Sequence, residues 1–167
     1  LTLNLEVFIH NILKLIEDDK IRLESRQIVE IEKKFSINYR GFELTGVIDR
    51  VDKLLNSEDN FELIDYKTSR NLKIDTLNTY NKSCDFQLEF YFLAIKNLYE
   101  SANIKAFYYD IFQNSLKEEI VLSEKLELLQ TIFDDLKEQS KNKIDFCKTE
   151  DKAICTYCTY KTICNRE

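Results

Sequence analysis

The 167-residue chain has no methionine, no proline, two glycines and a single histidine. Each scarcity narrows the reading. A chain that begins with leucine and contains no methionine reads as a piece of a longer protein. Without proline, and with no internal repeat or low-complexity linker, nothing marks a sharp domain boundary, and the length is that of one domain, residues 1–167. No run approaches the ~20 apolar residues of a membrane span. The N-terminus also lacks the basic, apolar and small-residue series of a signal peptide. The expectation is a cytoplasmic protein with no membrane partner. The five cysteines are an odd number, and four of them cluster at the C-terminal end, residues 147–167; in a reducing compartment such clustered cysteines read as metal ligands rather than disulfides. The net charge of −6 argues against a free-standing, sequence-indifferent DNA-binding protein, which would show a basic patch or stripe.

What is present reads as a mixed α/β chain. Residues 3–16 carry apolar side chains at helical spacing: Leu5, Phe8, Ile9, Ile12, Leu13 and Ile16. Residues 28–38, 42–53 and 61–67 read as strands. Tyr39-Arg40-Gly41 is a turn between the first two, and 56–60 a polar loop before the third, so short connections predict an antiparallel meander. A polar stretch, 68–83, reads as loop with room for a short helix. Residues 85–100 form a helix with Leu88, Phe92, Ile95 and Tyr99 on one stripe. Two further strands follow at 104–112 and 116–122. Ser123 is the expected N-cap of a last helix reaching Lys141.

The chemistry concentrates in Gly46-Val47-Ile48-Asp49-Arg50 and Ile64-Asp65-Tyr66-Lys67. Side chains alternate along a strand, so Asp65 and Lys67 share a face about 6.6 Å apart while Tyr66 points away and leaves its carbonyl near them. On the preceding strand Val47, Asp49 and Val51 share a face, and hairpin pairing brings Asp49 beside Asp65. Hard divalent cations take oxygen ligands, commonly one or two carboxylates with water and phosphate. Asp65 follows Leu63-Ile64, and a carboxylate in such a strand needs a partner or a metal to offset its desolvation. The plainer alternative pairs Asp49 with Arg50 or Lys53 in solvent and makes Asp65 a strand end. Lys67 is placed to stabilise developing negative charge. His10 is the one imidazole available as a ligand, on the edge of the first helix's apolar stripe. Gln87 and Tyr91, four residues apart, share a helix face. Either Glu30 or Glu32 could reach the same side of the sheet. Cys155, Cys158 and Cys164 have a compact spacing that suits zinc or an iron–sulfur cluster.

These elements, in this order, resemble the PD-(D/E)XK nuclease superfamily. The nearer resemblance is to its RecB-like branch, which includes the nuclease domains of the AddAB and RecBCD helicase–nucleases (AddB-like domains among them) and the iron–sulfur CRISPR-associated exonucleases. The pattern there is a helix with a histidine, G-x-x-D, D-x-K, a helix with Q-x-x-x-Y, and a C-terminal cysteine group. Here these are His10, Gly46 to Asp49, Asp65 to Lys67, Gln87 to Tyr91, and Cys155, Cys158 and Cys164. The resemblance implies a restriction-endonuclease-like αβββαβ core, with a mixed sheet flanked by helices and a cysteine-rich C-terminal segment. It implies Mg²⁺ or Mn²⁺ on His10, Asp49, Asp65 and the Tyr66 carbonyl, with Lys67 at the scissile phosphate and Gln87 and Tyr91 beside it. It also implies a [4Fe–4S] cluster with three C-terminal cysteines and one far upstream. Only the three are here, so the cluster is incomplete, with Cys147 or Cys84 as substitutes. Bound metal would offset the acidic charge of such a site, and the stretch from Lys141 is locally basic, with six Lys/Arg against four Asp/Glu. DNA is the implied substrate and a helicase domain or subunit the implied partner, in an exonuclease of repair or recombination. Three alternatives stay open: a CRISPR-adaptation exonuclease of the same chemistry, a non-catalytic DNA-binding scaffold, and a cysteine-centred metal module with an accidental D-x-K.

Overall fold

The computed structural model describes residues 2–141, 149–150, 152–156 and 158–165. The chain divides into two compact units, Leu1–Phe133 and Asp134–Glu167. The first contains α1 (Thr2–Arg22), β1 (Arg26–Tyr39), β2 (Phe42–Leu54), β3 (Asn60–Lys67), α2 (Gln87–Leu98), β4 (Asn103–Asp110), β5 (Ser115–Glu118) and the start of α3 (Leu122–Lys141). This is the αβββαβ order expected from the sequence.

One five-stranded sheet, ordered β1-β2-β3-β4-β5, organises the unit. The first three strands run antiparallel, as their short connections require. Arg40 (φ 53°) and Gly41 (φ 91°) make the β1–β2 turn. Two consecutive residues at positive φ match the right-handed strand twist, and glycine enters that region without a steric cost. β4 runs parallel to β3, which demands a crossover, and α2 supplies it with a face of buried Leu88, Tyr91, Ala94 and Ile95.

The two sides of the sheet are covered differently. On one, Ile48, Val51, Phe61, Leu63, Ala106 and Tyr108 pack with α2 and with Leu122 of α3. On the other, Phe8, Ile12 and Leu15 of α1 pack on Ile64, Tyr109 and Ile111. Helix α1 extends past the expected residue 16 because its inward positions turn from apolar to charged. Asp19 and Arg22 are there, held by partners on the sheet, and apolar periodicity cannot see them. The last expected strand stops at Glu118, and Leu122 already begins α3. Ser123 therefore falls inside the first turn instead of capping it. Glu119 takes over, accepting from the Val121 N–H at 3.4 Å and from Lys125 Nζ at 2.6 Å.

The second unit contains the rest of α3, the one-turn helix α4 (Lys152–Cys155) and a series of turns up to Asn165. Cys155, Cys158 and Cys164 lie there half-buried. Cys147 lies outside the described residues.

Candidate active site

The site forms where β2 and β3 part. Their pairing runs from Lys53↔Phe61 to Arg50↔Ile64 and stops, so Asp49 and Asp65 face each other one step beyond the last paired rung. The Asp49 side chain replaces the missing ladder bond: its Oδ2 accepts from the Tyr66 backbone N–H at 2.9 Å. Strict alternation along β2 also fails here. Ile48 and Val51 are both fully buried in one core cluster, whereas Val47 is exposed. The expectation that Val47, Asp49 and Val51 share a face is therefore corrected by an irregularity at Asp49. Across from it on β1, Ile31 pairs with Arg50 and Lys33 with Ile48, and Glu32 between them has φ 49°. A non-glycine residue there is strained, as is common where a sheet is bent to shape a site.

Asp65 and Lys67 share a face as expected. Lys67 Nζ lies 2.9 Å from Asp65 Oδ2, but without hydrogen-bond alignment, so this buried oxygen has no hydrogen bond. Lys67 is better held from the start of α2, donating to Asp85 Oδ2 at 2.7 Å and to Gln87 Oε1 at 2.5 Å. The Tyr108 ring lies 5.7 Å from Nζ. Gln87 Nε2 reaches the Tyr91 hydroxyl at 3.4 Å, and that hydroxyl reaches Asp49 Oδ1 at 3.5 Å. The Q-x-x-x-Y pair thus links Lys67 to Asp49.

Gly46 earns its place through Phe35. A Cβ on Gly46 would come within 2.8 Å of the Phe35 ring, and that ring meets Tyr91 edge-on at 6.3 Å. Two contributors escaped sequence reasoning. Phe35 looked like one more apolar strand residue. Asp85 read only as a helix start, although a carboxylate two residues ahead of Q-x-x-x-Y was a legible signal.

Burial is the largest influence on Asp65 and pushes its carboxyl above the usual carboxylate range; Lys67 pulls it partly back, while Asp49 and Asp85 push with burial. Burial would lower Lys67, but Asp85 and Asp65 outweigh it and hold the ammonium above its ordinary value. Burial also raises Tyr91, reinforced by Asp49 and Asp65, so its hydroxyl stays protonated as a donor.

Among the described residues no three His, Cys, Asp or Glu side chains are gathered as a metal-holding group. His10 is exposed on α1 and does not join Asp49 and Asp65 in such a group. Two carboxylates nonetheless fit Mg²⁺ or Mn²⁺, which complete their shells with water and phosphate. The buried Asp65 oxygen without a hydrogen bond is the kind of acceptor a cation would satisfy. The C-terminal thiols do not fit their expected group. Cys155, Cys158 and Cys164 are not brought together as ligands, so the expected iron–sulfur site is not supported.

No curated protein and no solved structure matches the chain. The family model of the PD-(D/E)XK nuclease superfamily matches residues 2–165, spanning β2, β3 and α2 with the carboxylates, lysine, glutamine and tyrosine described above. The chain belongs to the PD-(D/E)XK nuclease superfamily.

Proposed function

We propose that the chain is a divalent-metal-dependent deoxyribonuclease that digests DNA from its ends, as the nuclease part of a helicase–nuclease in repair or recombination. The observation that carries the hydrolytic reading is the meeting of Asp49, Asp65 and Lys67 where β2 and β3 part. The exonuclease mode and the helicase partner rest on the RecB-like order of the motifs. Asp49, Asp65 and the Tyr66 carbonyl would hold Mg²⁺ or Mn²⁺. Such an ion, when bound, activates water and polarises the phosphate.

The chain's own groups do the rest. Asp49 is fixed at both oxygens, by the Tyr66 N–H and the Tyr91 hydroxyl, so its free lone pairs keep one direction. Lys67 supplies a positive charge for the equatorial phosphate oxygens, where negative charge develops during in-line attack. Gln87 holds that ammonium by its carbonyl and Tyr91 by its amide.

The test is cleavage of end-labelled linear and closed circular DNA, each single- and double-stranded, in Mg²⁺, Mn²⁺ or EDTA. Expected is metal-dependent loss of linear substrate, circles left intact, and loss of cleavage in Lys67→Ala. Rapid nicking of circles would overturn the exonuclease reading, and cleavage unaffected by Lys67→Ala or EDTA would overturn the active site.

A further inference from the structure

Lys67 carries three N–H donors and has three oxygen partners. They differ in origin. Asp65 belongs to the proposed metal site on the same strand. Asp85 and Gln87 belong to the segment that opens α2 and hold the ammonium from there, at 2.7 and 2.5 Å. The Asp65 contact is the poorly aligned one. A cation on Asp65 repels the neighbouring ammonium and takes the oxygen's lone pairs, so Asp65 cannot be what keeps Lys67 in place during the reaction. Something off the strand has to.

Asp85 is built for that. Its Oδ1 accepts from the Gln87 backbone N–H at 3.1 Å, while Oδ2 takes Lys67. Its own backbone is pinned on both sides by Ser83, whose Oγ accepts from the Asp85 N–H at 3.2 Å and donates to the Asp85 carbonyl at 3.0 Å. One oxygen thus fixes the carboxylate to the start of α2, and the other is turned to the lysine. Asp85 is also the one charged residue among the two α2-side partners, so it supplies the electrostatic hold that Gln87 cannot.

We propose that Asp85 is a positioning residue of the nuclease site, fixing the Lys67 ammonium from the α2 side so that its third N–H is left for a substrate phosphate oxygen. The inference rests on the nuclease reading above. In the free protein Lys67 donates to Asp85 and Gln87 and forms an unaligned ion pair with Asp65. With a cation at Asp65, Asp85 and Gln87 retain two of the donors and the remaining one points to the open side of the site. Without Asp85 the lysine's flexible stem allows the ammonium to wander, and a misplacement of about 1 Å in a reacting group costs on the order of 10²-fold in rate.

The test compares the wild type with Asp85→Asn and Asp85→Glu. Asparagine keeps an oxygen for the Gln87 N–H and caps a helix as well as aspartate, so it removes the charge with little change to the start of α2. The first readout is the ¹⁵Nζ ammonium signal of Lys67 in the DNA-free protein. Slow proton exchange is expected in the wild type, fast exchange in Asp85→Asn, and slow exchange again in Asp85→Glu. The second is steady-state cleavage in saturating Mg²⁺. For Asp85→Asn, kcat is expected to fall about 10- to 100-fold with KM raised less than about threefold, and Asp85→Glu to recover most of the loss. Equal exchange in wild type and Asp85→Asn overturns the proposal whether or not the protein cleaves DNA. So does a kcat for Asp85→Asn within about twofold of wild type, or a loss confined to KM. An inactive wild type with a slowly exchanging Lys67 would instead count against the nuclease reading and leave the positioning of Lys67 confirmed.

Discussion

Asp49 and Arg50 are adjacent in β2, Asp65 and Tyr66 adjacent in β3, yet the members of each pair serve opposite sides of the sheet and opposite purposes. On the α1 side three arginines meet three carboxylates. Arg50 pairs with Asp52 at 2.7 and 2.8 Å and with Asp19, Arg22 with Glu62 at 2.7 Å and Asp52 at 3.3 Å, and Arg26 with Glu62 at 2.7 and 2.9 Å. Tyr66 closes the set by accepting from Arg50 at 3.1 Å. Arg22 Nε, which makes no hydrogen bond, still lies 3.8 Å from Asp19 Oδ1. On the α2 side, Asp65 and Asp85 share one lysine, Asp49 adds a third negative charge beside Asp65, and a buried Asp65 oxygen is left without a hydrogen bond. The α1 side is charge-matched and holds α1 to the two strands. The α2 side carries more negative charge than its one lysine matches, with Asp65 buried, Asp49 half-buried and Asp85 exposed. Such an imbalance is costly to keep, and on the proposed function a divalent cation offsets it.

The comparison breaks most visibly at Asp65. Asp65→Ala should reduce metal-dependent cleavage to the EDTA background while the far-ultraviolet circular dichroism stays unchanged; residual metal-dependent cleavage would remove Asp65 from the site. On the matched side the effect should fall on stability. Arg50→Met leaves Asp52, fully buried, with one weaker partner, and removing half of a buried pair costs about 3–5 kcal/mol. At about 2–4 °C per kcal/mol for a domain of this size, thermal unfolding should show it plainly. Gly46→Ala is smaller. The added methyl displaces the Phe35 ring and with it Tyr91, an overpacking worth about 1–3 kcal/mol, and activity should fall with stability because Tyr91 touches Asp49.

The smallest effect is the most discriminating, because the two sides respond to pH in opposite directions. Asp65 holds its proton more tightly folded than unfolded. Its contribution to stability therefore declines as pH rises from the unfolded aspartate value, about 3.9, through its raised folded value. Burial would raise Glu62 too, but Arg26 and Arg22 outweigh it and hold its carboxyl below the ordinary range. Its contribution is present above the unfolded glutamate value, about 4.3, and is lost as pH falls through the lower folded value. Asp65→Asn should thus gain in melting temperature over the wild type as pH rises from about 4 to 7, whereas Glu62→Gln should lose. A gap for Asp65→Asn that shrinks with pH would mean the site's carboxylates are already balanced.

Much of this was legible in the sequence, for reasons that name its limits. The strands and α2 follow from apolar period and short connections, and the register that puts Asp49 near Asp65 follows from hairpin pairing. Strict alternation did not foresee the irregularity at Asp49, since nothing in Val47-Ile48-Asp49 distinguishes a bent strand from a straight one. The inward charges of α1 were invisible because Asp19 and Arg22 bury against partners more than 25 residues away in sequence. Asp85 was missed because its role depends on Lys67 arriving from another element. The cysteines carried a real spacing signal whose structural counterpart is missing among the described residues.

On the proposed function, the unmatched carboxylates receive a divalent cation. The most direct test of that role is calorimetric titration of the DNA-free protein with Mn²⁺, wild type beside Asp65→Ala, with Arg50→Met as the control from the matched side. Binding is expected for the wild type and for Arg50→Met, and should be abolished in Asp65→Ala. Equal binding by wild type and Asp65→Ala, or none by either, would contradict that role.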